Sequence, residues 1–133
     1  MAKKRLPKYT FKTLVEHLRT KSEATICNNT KVVRQNLHDP TQGIGMLLHG
    51  HKIAILYPNG YVAIRDCGYV TTTTYDRLKR VLPPGWQVSR KGGRGVVWSD
   101  NSAGDIWAAH WTMLRPAGVG DLLEPTILNG AIL

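Results

Sequence analysis

The stretch LLHGHKIAILYPNGYVAIRDCGYVTTTTYDRLKRVL, Leu47 to Leu82, decides the fold. Two apolar runs flank Pro58-Asn59-Gly60. Asn-Gly between apolar runs is a strong hairpin signal, because both residues tolerate the positive φ that tight turns need. Ile44–His49 and Lys52–Tyr57 predict strands around a tight Gly50-His51 turn, with Ile53, Ile55 and Tyr57 on one face. Tyr61–Asp66 predicts the next strand, with Val62 and Ile64 on one face and Tyr61, Ala63 and Arg65 on the other. Gly68 relaxes the chain, and Val70 leads into Thr71–Thr74. β-branched residues suit a strand end, so the helix is expected to start near Tyr75, capped by one threonine. It should stop before Pro83-Pro84-Gly85.

Working outward, Thr10 has the chemistry of an N-cap. Phe11, Leu14, Val15 and Leu18 follow at i, i+3, i+4 and i+7, one apolar helix face, in a helix expected to end near Lys21. Asn28-Asn29-Thr30 is turn chemistry. Lys31–Leu37 predicts a strand with either Val32 or Val33 inward. Asp39-Pro40-Thr41-Gln42-Gly43 is a loop. Trp86-Gln87-Val88 and Gly95-Val96-Val97-Trp98 predict a hairpin around Arg90–Arg94. The expected class is therefore α+β: a small, strongly bent antiparallel sheet, a meander of hairpins, with two short helices. Residues 1–9 read as a basic arm or a solvated terminus, 10–101 as the folded domain. Residues 102–133 read as an apolar, Gly/Pro-containing extension that packs on the core or on a partner.

The chain has 133 residues, enough for one core without disulfides or metal. It carries 18 Lys+Arg against 9 Asp+Glu, a net charge of +9. Such a balance favours polyanions such as nucleic acid. Cys27 and Cys67 are isolated, which excludes a disulfide framework and an all-cysteine zinc site and suits a reducing cytosol. The basic Met1–Lys8 start precedes no apolar stretch, so no secretory signal is expected. No apolar run approaches a membrane span, and no membrane partner is expected.

More than half of the cations fall in three clusters. Lys3, Lys4, Arg5 and Lys8 form the arm. Arg77, Lys79 and Arg80 lie on the helix led by Thr74. Arg90, Lys91 and Arg94 surround Gly92-Gly93. A helix N-terminus with threonine hydroxyls and arginines can meet phosphates, though the same residues also make an ordinary cap with a solvated basic face. A basic tip beside Trp86 and Trp98 suits a single strand, although tryptophans are more often core. His49 and His51 have no acid or cysteine at ligand spacing, so neither metal nor cofactor is expected. His110 beside Trp107 and Trp111 reads as packing or a polar rim. GxSxG, HExxH, P-loop and GxGxxG motifs are missing, and no acid pair stands out, so no enzyme activity is expected.

The order of these motifs resembles a family of small uncharacterised proteins of tailed bacteriophages. The matching residues are Asn28-Asn29-Thr30, Leu48-His49, Ile53, Asn59-Gly60, Gly68-Tyr69, Thr71–Thr74 and Arg77, followed by the tryptophan-bearing hairpin. The likeness spans roughly residues 28–98. Cys67-Gly68-Tyr69-Val70 stands where the family has Gly-Gly-Trp-Arg, so no role of that Trp or Arg carries over. The family has no established activity. The resemblance implies a viral origin and a host-cytoplasmic or virion setting. The charge then favours sequence-tolerant nucleic-acid binding by a phage accessory protein. The apolar end favours the other reading: an assembly protein, a homo-oligomer or an inhibitor of a host protein.

Overall fold

The computed structural model describes residues 8–27, 29–36, 38–99, 106–107, 111–116 and 126–127. The first helix, α1 (Phe11–Leu18), is capped as expected. The Thr10 hydroxyl accepts the Thr13 N–H, and the Thr13 hydroxyl accepts the Thr10 N–H, so two helix-end donors are satisfied. Leu14 and Leu18 are fully buried, with Phe11 and Val15 beside them. Burying each leucine contributes about 2 kcal/mol. The helix stops short of Lys21 because Arg19 turns to φ +54°, while its N–H still reaches the Val15 carbonyl.

Five strands then form a meander: β1 (Glu23–Cys27), β2 (Thr30–Arg34), β3 (Ile44–Leu48), β4 (His51–Leu56) and β5 (Val62–Ile64). Strand β1 has no counterpart in the sequence reading. Its residues alternate poorly, and its hairpin to β2 turns through Asn29 at φ +58°. Strand β2 is shorter than expected. It ends where Arg34 swings its guanidinium back to the carbonyls of Arg19 and Lys21. Val32 is the inward valine.

The β3–β4 turn is His49-Gly50, one residue earlier than expected, with φ of +50° and +81°. Both central residues with positive φ match the right-handed strand twist. A bulge follows. Met46 pairs with Ala54 and Leu47 with Lys52, which leaves Ile53 as an extra residue. Ile53 is thereby turned into the main core with Ala54 and Leu56. Ile55 and Tyr57 lie on the opposite face with Ala63, Trp111 and Met113. The expected common face of Ile53, Ile55 and Tyr57 does not form, because strict alternation fails at the bulge. The next turn is Pro58-Asn59-Gly60, closed by the Gly60 N–H on the Tyr57 carbonyl, with Gly60 at φ +90°. Val62 and Ile64 face the main core, as the alternation predicts.

The second helix, α2 (Thr72–Val81), includes three of the four threonines, so it starts earlier than expected. Thr71 is the cap: its hydroxyl accepts the Thr74 N–H at 3.2 Å and its carbonyl the Tyr75 N–H. Two local bonds of this kind outweigh the strand preference of β-branched residues. Thr74, Tyr75, Leu78 and Val81 are buried, and the helix ends at Leu82 before Pro83. Strands β6 (Trp86–Lys91) and β7 (Arg94–Ser99) form the expected hairpin around Gly92-Gly93 and pair with the short β8 (Ile106–Trp107) in a second sheet. Strand β9 (Thr112–Leu114) adds to β5, and β10 (Thr126–Ile127) adds to β9. These two strands come from the segment expected to pack on the core or a partner, and both pair within this chain. The rest of Ile127–Leu133 lies outside the described residues.

The architecture is thus α+β, with antiparallel sheets β1-β2-β3-β4-β5-β9-β10 and β6-β7-β8 and two short helices. One core draws on both helices and both sheets, with Trp86, Val88 and Val97 supplied by the second sheet. The sheets meet through α2 at one tight contact. The Tyr75 hydroxyl donates to the buried Asp66 carboxylate at 2.6 Å. The same ring lies on Gly95 of β7, where an added Cβ would fall 1.3 Å from the hydroxyl oxygen and 2.8 Å from the Asp66 carboxylate. Gly95→Ala should therefore lose about 3 kcal/mol or more, from overpacking without room to relax. Urea unfolding measures this. The penalty should shrink in a Tyr75→Ala background, and equal penalties in both backgrounds would exclude this contact as its cause.

Candidate nucleic-acid interface

Helix α2 organises the charged surface. Its outward side carries exposed Lys79 and half-buried Asp76, and its two ends receive the other basic segments. At the C-terminal end, the Tyr9 N–H donates to the Arg80 carbonyl at 2.7 Å, which brings exposed Lys8 to that end of the helix. At the N-terminal end, the Arg90 guanidinium donates to the Thr72 hydroxyl at 3.0 Å. Between α2 and β6 runs a groove of about 260 Å³ lined by Thr72, Tyr75, Asp76, Lys79, Ser89 and Arg90. One cation of the helix cluster, Lys79, and one of the hairpin cluster, Arg90, therefore share one groove. Arg90, Lys91 and Arg94 are exposed around the Gly92-Gly93 turn, and the Lys91 ammonium lies 4.8 Å from the Trp98 ring centroid. A cation over an indole face is attracted by the ring quadrupole.

The remaining helix cations are turned inward. Arg77 pairs with Asp76 and donates from Nε to the Thr30 hydroxyl on β2 at 3.0 Å. Arg80 reaches the other Asp76 oxygen at 2.9 Å, an i,i+4 pair. Burial pushes the Asp76 carboxyl up, but the hydrogen bonds and charges of Arg80 and Arg77 outweigh it and hold it below the usual carboxylate range. Thr74 is buried, and its hydroxyl is hydrogen-bonded to that of Thr71 at 2.9 Å. Trp86 is core, donating its indole N–H to the Arg115 carbonyl at 2.7 Å. Lys3, Lys4 and Arg5 lie outside the described residues, as does His110.

On the other side of the first turn of α2 is a cavity of about 350 Å³, which the sequence reading missed. Leu48, His49, His51, Ile53, Asp66, Tyr69, Thr71, Thr73 and Thr74 line it. The His51 and Tyr69 rings are in tilted contact, with centroids 4.9 Å apart at an interplanar angle of 38°. Two turns bring them together. One is His49-Gly50. The other is Cys67-Gly68, with φ of +57° and +81°, closed by the Tyr69 N–H on the Asp66 carbonyl at 2.9 Å. His49 and His51, on either side of Gly50, both reach this cavity. The Asp66 carboxylate accepts the Gly68 N–H at 2.8 Å on one oxygen and the Tyr75 hydroxyl on the other. Burial, together with the bond to Asp66 and its charge, raises Tyr75 far above the usual phenol range, so it stays a donor. The X-Gly pairs were the available signal, since each marks a sharp turn that aims the following residue.

Among the described residues no group of three His, Cys, Asp or Glu is placed to hold a metal. Among them, too, no helix is long and apolar enough to cross a membrane. No curated protein and no solved structure matches the chain. The model of one family, described as Kyanoviridae Gp96 protein, matches residues 9–106. That match covers both helices, the β1–β5 meander and the tryptophan-bearing hairpin. It begins at Tyr9, whose N–H is tied to α2, and runs through the groove and the cavity alike. The chain belongs to the Kyanoviridae Gp96 family of phage proteins.

Proposed function

We propose that this phage protein binds nucleic acid in the infected cell with little sequence preference, through the cations gathered along α2. The observation that carries the reading is the groove between α2 and β6, where Lys79 and Arg90 stand together. Lys8 at one end of the helix and Lys91 and Arg94 beyond the other extend it. Cations that neutralise backbone phosphates release condensed counterions, and that release drives the association. A glycine turn with exposed arginines and no rigid reading element suits backbone contact better than base readout.

Binding of a labelled oligonucleotide, followed by fluorescence anisotropy as salt rises from about 50 to about 200 mM, tests this. About five cations at about −0.7 each on a single strand give a log–log slope of roughly −3 to −4. Replacing Lys79 or Arg90 by Ala should weaken binding and reduce the slope by about one contact. A flat salt response, or no binding at the lowest salt, would overturn the reading.

Asp76 sets a second test. It neutralises Arg77 and Arg80, so Asp76→Asn should strengthen binding several-fold and steepen the salt slope. The same substitution has a stability signature. The folded carboxyl titrates below its unfolded value, so the ion pairs contribute fully above about pH 4 and are lost as pH falls through the folded pKa. Urea unfolding of Asp76→Asn against pH should therefore show a flatter acid limb than the parent protein.

A further inference from the structure

We infer that the cavity beside α2 receives one unpaired base of a single-stranded nucleic acid. The inference rests on the proposed function and narrows its ligand from polyanion to single strand.

The cavity has the parts a base requires. Its volume, about 350 Å³, lies at the lower end of ligand pockets and exceeds a single base ring system. Leu48 and Ile53 supply an apolar floor. Tyr69 is half exposed and is the large hydrophobic side chain that stands out to solvent among the described residues. An exposed aromatic ring on a sharp turn, backed by the His51 ring, is a stacking platform. Stacking is tolerant of base identity because every base has a π face. The buried Asp66 carboxylate lies in the wall. Each of its oxygens holds one hydrogen bond and has a further lone pair, so it can accept from the exocyclic amino group of cytosine, adenine or guanine.

Position joins the cavity to the cationic groove. Thr71, Thr73 and Thr74 line the cavity, while Thr72, Tyr75 and Asp76 line the groove. One turn of α2 separates them, and the Asp66–Tyr75 hydrogen bond spans the gap. A strand laid across that turn keeps its phosphates near Arg90 and Lys79 and turns a base inward on the far side. In a duplex the base is held by its partner and cannot enter without being extruded.

The test compares three probes of equal length: oligodeoxycytidylate, the same backbone with abasic sites, and a duplex. All keep the phosphates, and only the first offers unpaired bases. The full-length protein should bind oligodeoxycytidylate about tenfold more tightly than the abasic strand. Tyr69→Ala should remove that advantage and leave abasic and duplex binding unchanged, and Tyr69→Phe should restore it. Arg90→Ala should weaken all three probes alike. If the protein binds cytidylate and abasic strands equally, or Tyr69→Ala changes nothing, the cavity is not a base site, although polyanion binding stands. If none of the probes binds at low salt, both readings fall.

Discussion

The hydrogen bond from Tyr75 to Asp66, made across Gly95, fixes how the parts of this protein meet. Asp66 ends the connection out of β5, Tyr75 lies in the second turn of α2, and Gly95 belongs to β7. A buried carboxylate is costly unless it is hydrogen-bonded, and here the Gly68 N–H and the Tyr75 hydroxyl each bond one of its oxygens. That requirement anchors the Cys67-Gly68 turn and the helix to the same atom group. Gly95 then lets the second sheet approach the ring more closely than any side chain would allow. The cationic groove and the cavity both take a wall from this contact.

The charged surface is shaped by subtraction as much as by clustering. The helix carries Arg77, Lys79 and Arg80, but Asp76 between them holds both arginines against the protein. Arg77 is further tied to Thr30, which locks α2 onto β2. What faces the groove is Lys79, with Arg90 brought in from another strand. Lys52 is likewise withdrawn: burial, then the nearby Arg65, lower its pKa, and its ammonium is bonded to Gln35 at 2.7 Å.

Much of the fold was legible because it is written in short-range chemistry. Asn59-Gly60, the heptad-like face of Phe11, Leu14, Val15 and Leu18, and the glycine pair at 92–93 each impose a local geometry that packing leaves intact. Other features depend on distant partners. The bulge at Ile53 exists only relative to β3, and the threonines become helical because Thr71 caps them and Tyr75 and Leu78 find a core. The pairing of Arg80 with Asp76 was visible as an i,i+4 spacing, and counting cations alone passed over it. The cavity left only the two X-Gly pairs as a local trace, since the meeting of His51 and Tyr69 needs two turns and a sheet.

Strand order gives the chain a particular history during synthesis. Strand β5 has β4 on one side and β9 on the other, and β9 lies beyond α2 and the whole second hairpin in sequence. Until Thr112–Leu114 leaves the ribosome, the backbone groups of Val62–Ile64 on that side have no partner. A nascent meander with a bare, apolar margin is prone to join another such margin on a neighbouring polysome. Helix α2 and the tryptophan hairpin cover the apolar side chains of the main core, but only the late strand saturates the ladder.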